Sequence, residues 1–276
     1  MEHLITELSV GASAPFTLLQ MTDAHLIHAD ERDGERLLAY TEKRRKTYPH
    51  GDEYLAEVTA LARKLHVSLV NTGDLIDCQT AANLDLVARF TAENDVLNLL
   101  GNHDCRPYGG MEYDCPAVRA QTIGRIRPAL GREIRFRSVV RNGVNLVLLD
   151  NAYYWVEPWQ YGALRRELAR GLPTLLFVHV PLFQPELHRW ILETKGRLFS
   201  SLMGVPDELL ATYPEKRLLQ QRPTEFTRLA CDLITHAPNV AAVIAGHTHL
   251  NWEGTLEGGV PQYITGAETA RELRIS

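Results

Sequence analysis

The sequence predicts an α/β fold with antiparallel additions, and three observations carry that expectation. Short apolar runs of strand length alternate with helical periodicity along nearly the whole chain. Two dipeptides, Asn142-Gly143 and Gly258-Gly259, are hairpin signals that a purely parallel sheet would lack. Five of the apolar runs give way within three residues to Asp, Asn or His, and ligands of open α/β sheets gather beyond the carboxyl ends of the strands.

Taken in order, the first strand is expected at 16–21 (FTLLQM). A helix over 52–65 puts Leu55, Val58, Leu61, Ala62 and Leu65 on one stripe, with Arg63 and Lys64 in its last turn, where the helix dipole favours cations. Strands follow at 67–71 (VSLVN) and 96–100 (VLNLL). Asn142-Gly143 joins FRSVV to a strand at 144–149 (VNLVLL), and another strand is expected at 174–178 (TLLFV). A helix over 224–236 aligns Phe226, Leu229, Leu233 and Ile234 behind a Thr224 cap. The strand 240–245 (VAAVIA) and the hairpin from WEGTLE to VPQYIT complete the pattern. Most runs are unbroken rather than alternating, as expected of strands covered on both faces. No repeat, low-complexity tract or linker divides residues 1–276, so one domain is expected. The irregular stretches 26–51 and 182–223 are too long for idle loops and are candidate lids or substrate walls.

Composition narrows the class. Hydrophobic residues make up 45% and charged residues 23% of the 276, which excludes disordered, collagen-like and coiled-coil chains. With 34 carboxylates against 29 Lys plus Arg the net charge is −5, the wrong sign for a sequence-independent nucleic-acid binder. The four cysteines form no CxxC pair, and they read as reduced thiols. The start has no basic region followed by a long apolar run, and no stretch is long and apolar enough to span a bilayer. A soluble, cytoplasmic protein is expected.

The chemistry lies after the strands. FTLLQMT is followed by Asp23-Ala24-His25, VSLVNT by Gly73-Asp74 with Asp77 beyond, and VLNLL by Gly101-Asn102-His103-Asp104. TLLFV is followed by His179, and VAAVIA by Gly246-His247-Thr248-His249. Singly these are ordinary: Gly-Asp is a common turn, and a lone His a satisfied core residue. In order, at successive strand ends, they point to a metal centre. Imidazole and carboxylate without thiolate suit Mn, Fe or Zn. The donors are too many for one ion and suffice for two about 3.5–4 Å apart, a spacing that suits phosphoryl transfer.

These residues resemble the calcineurin-like metallophosphoesterase superfamily, whose pattern D-x-H, G-D-x-x-D, G-N-H-D/E, H and G-H-x-H is matched by DAH, GDLID, GNHD, His179 and GHTH over residues 23–249. The resemblance implies a four-layer αββα sandwich of two mixed sheets, a dinuclear centre and phosphoester hydrolysis by a metal-bridging hydroxide. It assigns Asp23, His25, Asp74 and His249 to one ion and Asp74, Asn102, His179 and His247 to the other, with Asp74 shared. It makes His103 the residue that faces the phosphate and protonates the leaving oxygen, with Asp104 orienting that imidazole. Protein Ser/Thr phosphatases of this superfamily read GNHE, and purple acid phosphatases place a ligating Tyr where this chain has Asp77. GNHD followed by Cys105-Arg106 is most similar to the class III cyclic nucleotide phosphodiesterase and glycerophosphodiesterase group, with Arg106 either a substrate contact or a residue pairing with carboxylates at the surface. The expected partner is therefore a small phosphodiester. A phosphomonoesterase on the same site, a nuclease, and a protein-binding scaffold of the same fold are the rivals; the scaffold predicts gaps in the donor set, and none occurs.

Other residues keep two readings. Asp77 and Asp150 suit outer hydrogen bonding or ordinary turn chemistry. The run from Glu42 to Lys46 suits anion attraction or a solvated face. Tyr153, Tyr154, Trp155 and Trp159 suit base stacking or packing, and the histidines outside the motifs, His188 among them, are expected in surface loops.

Overall fold

A computed structural model describes residues 1–131, 133–196, 199 and 201–276. The elements run β1 (Glu2–Leu8), β2 (Phe16–Met21), α1 (Gly34–Arg45), α2 (Gly51–Leu65), β3 (Ser68–Asn71), α3 (Ala81–Glu93), β4 (Val96–Asn98) and α4 (Pro116–Leu130). They continue as β5 (Phe136–Arg141), β6 (Val144–Leu149), α5 (Pro158–Leu168), β7 (Thr174–Phe177), α6 (Pro185–Thr194), α7 (Asp207–Leu210), α8 (Glu215–Gln221), α9 (Glu225–His236), β8 (Val240–Ala245), β9 (Trp252–Thr255), β10 (Pro261–Ile264) and β11 (Thr269–Ile275). Two mixed sheets result, ordered β1-β11-β2-β3-β4 and β5-β6-β7-β8-β10-β9. Among the described residues no helix is long and apolar enough to cross a membrane.

The unbroken apolar runs are explained by three apolar layers. Along β6, Val144, Leu146 and Leu148 face the other sheet and meet Leu18, Val70, Leu97 and Leu273. The alternate residues Val147 and Leu149 face outward, into a core shared with Leu164, Leu168, Ala230 and Ile234 of α5 and α9. On the other sheet, Leu19, Met21 and Leu69 pack against Tyr54, Val58 and Ala62 of α2, with Val87 and Phe90 of α3. The central strands thus bury both faces, and helix–sheet–sheet–helix layering follows.

Both hairpin signals form hairpins. β5 pairs antiparallel with β6 across Asn142 (φ 48°) and Gly143 (φ 79°), the left-handed pair that such a tight turn requires. β9 pairs antiparallel with β10 across the Gly258-Gly259 turn. The Thr224 hydroxyl accepts from Thr227 N–H and caps α9. The flanking strands β1 and β11, which pair in parallel, carry no strong apolar run and were not expected. Stretch 26–51 contains α1, and 182–223 contains α6, α7 and α8, with 197, 198 and 200 outside the described residues.

Two buried polar side chains tie the sheets together. Gln20 on β2 donates to Ala245 O at the end of β8 and accepts from Thr265 Oγ1. Arg271 on β11, fully buried, donates to Thr6 Oγ1, Thr265 Oγ1 and Ile264 O. β2, β3 and β4 run parallel in one sheet and β6, β7 and β8 in the other. Their carboxyl ends meet at one end of the sandwich, where the cross-sheet tie through Gln20 holds β2 against β8.

Candidate metal centre

The loops that leave β2 and β3 stay paired after the strands end. Asp23 N–H donates to Gly73 O, His25 N–H to Asp74 O and Leu26 N–H to Leu75 O. That lacing folds the chain tightly at Asp23, His25 and Asp74, and these three, together with His247 and His249 beyond β8, have positive φ, between 45° and 69°. Asp and His tolerate this region better than most residues, but it costs of order 1–3 kcal/mol each. The glycines before the donors answer to space. A Cβ on Gly73 would lie 2.7 Å from His179 Nδ1, and one on Gly101 would collide with the Asp74 carboxylate.

The seven strand-end donors converge. His249 Nε2 lies 3.0 Å from His25 Nε2 and 3.2 Å from Asp23 Oδ1. His179 Nε2 lies 3.4 Å from Asp74 Oδ2, 3.2 Å from Asn102 Oδ1 and 3.1 Å from His247 Nδ1. Asp74 Oδ2 is also 3.8 Å from His25 Nε2, so one oxygen stands between the two groups.

Five of the seven donors are tied to the protein by their other atom. Asp23 Oδ2 accepts from Thr22 Oγ1 and His247 N–H, while the buried Oδ1 has no hydrogen-bond partner. Asp74 Oδ1 accepts from His103 N–H at 2.7 Å, leaving Oδ2 for the centre. His179 Nδ1 faces Thr72 O at 2.9 Å, which assigns the proton to Nδ1 and frees Nε2. His247 Nε2 meets the Tyr154 hydroxyl at 3.0 Å, freeing Nδ1. The Asn102 amide nitrogen points at Asp114, so its carbonyl oxygen points inward. Donors locked from behind, with a buried oxygen that no protein group satisfies, fit cations held between them. From the protein's own groups alone, burial works against charge on His179 but the Asp74 carboxylate raises it to about 9, while burial and His103 push His25 down to about 4.

His103 lies beside this group, its ring centroid 4.5 Å from that of His25. Its Nδ1 is 3.0 Å from Asp77 Oδ1. The expectation that Asp104 orients this imidazole is corrected here. Asp104 turns inward and accepts from the backbone N–H groups of Asp74, Gly101 and Ile76, holding the two donor loops together. Burial and the Asp74 charge push its carboxyl up to about 7. Asp77 takes the orienting position because its loop, laced to Leu26, carries its carboxylate between His25 and His103. Arg44 and the Tyr40 hydroxyl hold it from behind. Arg106 is buried and bound through Nε and Nη2 to Asp114, not solvated, and its Nη1 lies 2.6 Å from His103 Nε2.

Several residues at the site carried no clear sequence signal. Tyr48 stacks on His25 at 4.1 Å and 8°. Arg44 comes from the charged run, whose other members Glu42, Lys43, Arg45 and Lys46 are exposed as a solvated face requires, and Tyr154 from the aromatic cluster, where its ring packs in the core as expected while its hydroxyl reaches His247. His188 is buried against the Tyr213 hydroxyl at 2.7 Å rather than in a surface loop, whereas His28 pairs with Asp52 near the surface. All four cysteines are free.

A cavity of about 460 Å³ opens over the centre, lined on one side by Asn102, His103, His247 and His249 and on another by Ile191, Lys195 and Arg217. Among solved structures the chain is similar to a dimetal phosphatase from Danio rerio, with 15% identity and a TM-score of 0.52 over 92% of this chain and 88% of that one. It is also similar to a putative 5'-nucleotidase from Staphylococcus aureus, with 14% identity and a TM-score of 0.47 over 92% of this chain and 49% of that one. No curated protein matches it. The family model described as calcineurin-like phosphoesterase matches residues 16–251, the span that holds every strand-end donor. The chain belongs to the calcineurin-like phosphoesterase family.

Proposed function

We propose that this protein is a dinuclear-metal hydrolase of a small phosphodiester, a cyclic nucleotide or a glycerophosphodiester. Asp23, His25, Asp74 and His249 would hold one cation and Asp74, Asn102, His179 and His247 the other. The observation that carries the reading is the pair of half-tied carboxylates: Asp74 Oδ2 reaches both donor groups, and the buried Asp23 Oδ1 has no other partner. When bound, two Mn, Fe or Zn ions would neutralise the phosphoryl oxygens and acidify a water at neutral pH.

The chain's own residues do the rest. His103 donates from Nδ1 to Asp77, which holds the ring in place, and in its imidazolium form it would hand the Nε2 proton to the departing oxygen. The two guanidinium nitrogens of Arg106 on Asp114 hold it in place, and its Nη1 is left to turn from the imidazole to a phosphoryl oxygen. Asp104 keeps the β3 and β4 loops at a fixed spacing. The 182–223 segment acts as a substrate wall, and the cavity it borders has room for the second substituent of a diester. The free thiols fit a reducing, cytoplasmic setting.

A phosphomonoesterase is the second reading, and two cavity cations, Lys195 and Arg217, favour the more highly charged monoester dianion. Purified protein loaded with Mn²⁺ is to be assayed on bis(p-nitrophenyl) phosphate and p-nitrophenyl phosphate. A higher kcat/KM on the diester supports the proposal, and the reverse order selects the monoesterase. A metal-replete protein inert on both overturns hydrolysis.

A further inference from the structure

The cavity has a cationic wall that the metal-centred hydrolysis of a diester leaves without a role. Arg217 on α8 lines it and is only 9% exposed. Its Nε is buried with no hydrogen-bond partner, and its Nη1 donates to a neutral acceptor, Gln220 Oε1, at 2.8 Å. The other buried arginines contrast with it. Arg106 pairs with Asp114, Arg119 with Asp150 and Arg271 with Glu253. Among the described residues Arg217 has no ion-pair partner, and neither has Lys195, whose Nζ donates to Thr248 O at 2.6 Å. The one carboxylate on the same cavity, Asp114, is already neutralised by Arg106. A buried guanidinium without a counter-charge is costly, and the group that would offset the cost is an anion entering the cavity.

We propose that Arg217, seconded by Lys195, is an anion subsite, and that the substrate is a phosphoester carrying a second anionic group, carboxylate or phosphate, beyond the ester. Ile191 and Phe199, on the same wall, would pack against the part that links the two. The proposal rests on the hydrolase reading for the word substrate, but not for the binding it predicts.

The test uses paired ligands on the Mn²⁺-loaded protein. Calorimetry compares 4-carboxybenzylphosphonate and 1,4-xylylenebisphosphonate with benzylphosphonate, and kinetics compares 4-carboxyphenyl phosphate with phenyl phosphate. A charge-assisted contact predicts binding of the doubly charged ligand about tenfold tighter or more, with a matching kcat/KM preference. Whichever of the two far-end anions gains more identifies the group recognised. Arg217→Gln should bring both ratios toward one, and Arg217→Lys should restore part of them. Should Arg217→Gln not melt cooperatively, Lys195→Met carries the same comparison from outside α8. Equal binding of charged and neutral partners by the wild type, or ratios unmoved in Arg217→Gln, overturns the subsite. Tighter binding of the doubly charged ligand with no turnover of any ester would leave the subsite standing and sink the hydrolase reading.

Discussion

The floor and the wall of the cavity are built by different means. The floor is made of donors two to four positions past parallel strands, where backbone hydrogen bonds prolong the β2–β3 pairing and five donors take left-handed conformations. The wall is made of Tyr48 from the turn after α1 and of side chains from the 182–223 segment, which reach the same space across helix surfaces. Strand pairing fixes a floor atom within tenths of an ångström, whereas a wall side chain depends on its rotamer and on whatever packs behind it. The floor therefore suits chemistry that all members of a family share, and the wall suits discrimination between substrates.

Asp74→Asn attacks the floor at the oxygen both donor groups share, and the largest loss is expected there: about a thousandfold or more in kcat on the better aryl phosphate, with reduced metal content by elemental analysis. A smaller loss would mean that the two groups do not act through a common carboxylate. Asp77→Asn cuts the joint between floor and wall, because Asp77 binds Arg44 of α1 and touches both His25 and His103. Turnover should fall about 10–100-fold. Losing the partner of a partly buried Arg44 should also cost about 3 kcal/mol in urea unfolding.

That stability difference has a pH dependence. Burial alone would raise the Asp77 carboxyl, but Arg44, His103 and His25 hold it well below the usual carboxylate range. A carboxyl whose folded pKa is depressed stabilises the fold above its unfolded value of about 3.9 and loses that contribution as the pH falls toward the folded value. The gap between wild type and Asp77→Asn should be full at pH 6 and narrow below about pH 4. A gap unchanged down to pH 3 would remove the ion pair as its source.

Tyr154→Phe tests the smallest of these contributions. It removes the hydroxyl behind His247 Nε2 while keeping the buried ring. Metal affinity should weaken about tenfold, with the melting temperature little changed. An unchanged affinity would show that His247 is oriented by its left-handed backbone alone.

The same division decides what could be read in advance. The layers were legible because each apolar run reports burial on both faces, and the two Gly-containing dipeptides report their hairpins. β1 and β11 escaped because half-exposed or charged residues such as Glu2, His3, Arg271 and Arg274 mask their strand character. The donors were legible as a set because all lie just past strand ends in chain order. Which carboxylate serves which imidazole was not: Asp104 adjoins His103 in the chain and Asp77 lies 26 residues away, yet the lacing of the 26 and 77 loops turns Asp77 toward it while backbone amides claim Asp104.

The amino-acid sequence by itself determined the alternation of strands and helices, the turn chemistry and the order of donors at strand exits, since these are properties of neighbours along the chain. The folded molecule alone decided the shared oxygen of Asp74, the Tyr154–His247 contact and the counter-charge missing from Arg217. Pairing between side chains distant in sequence depends on the angles at which helices and sheets pack, and no local pattern of residues encodes those angles.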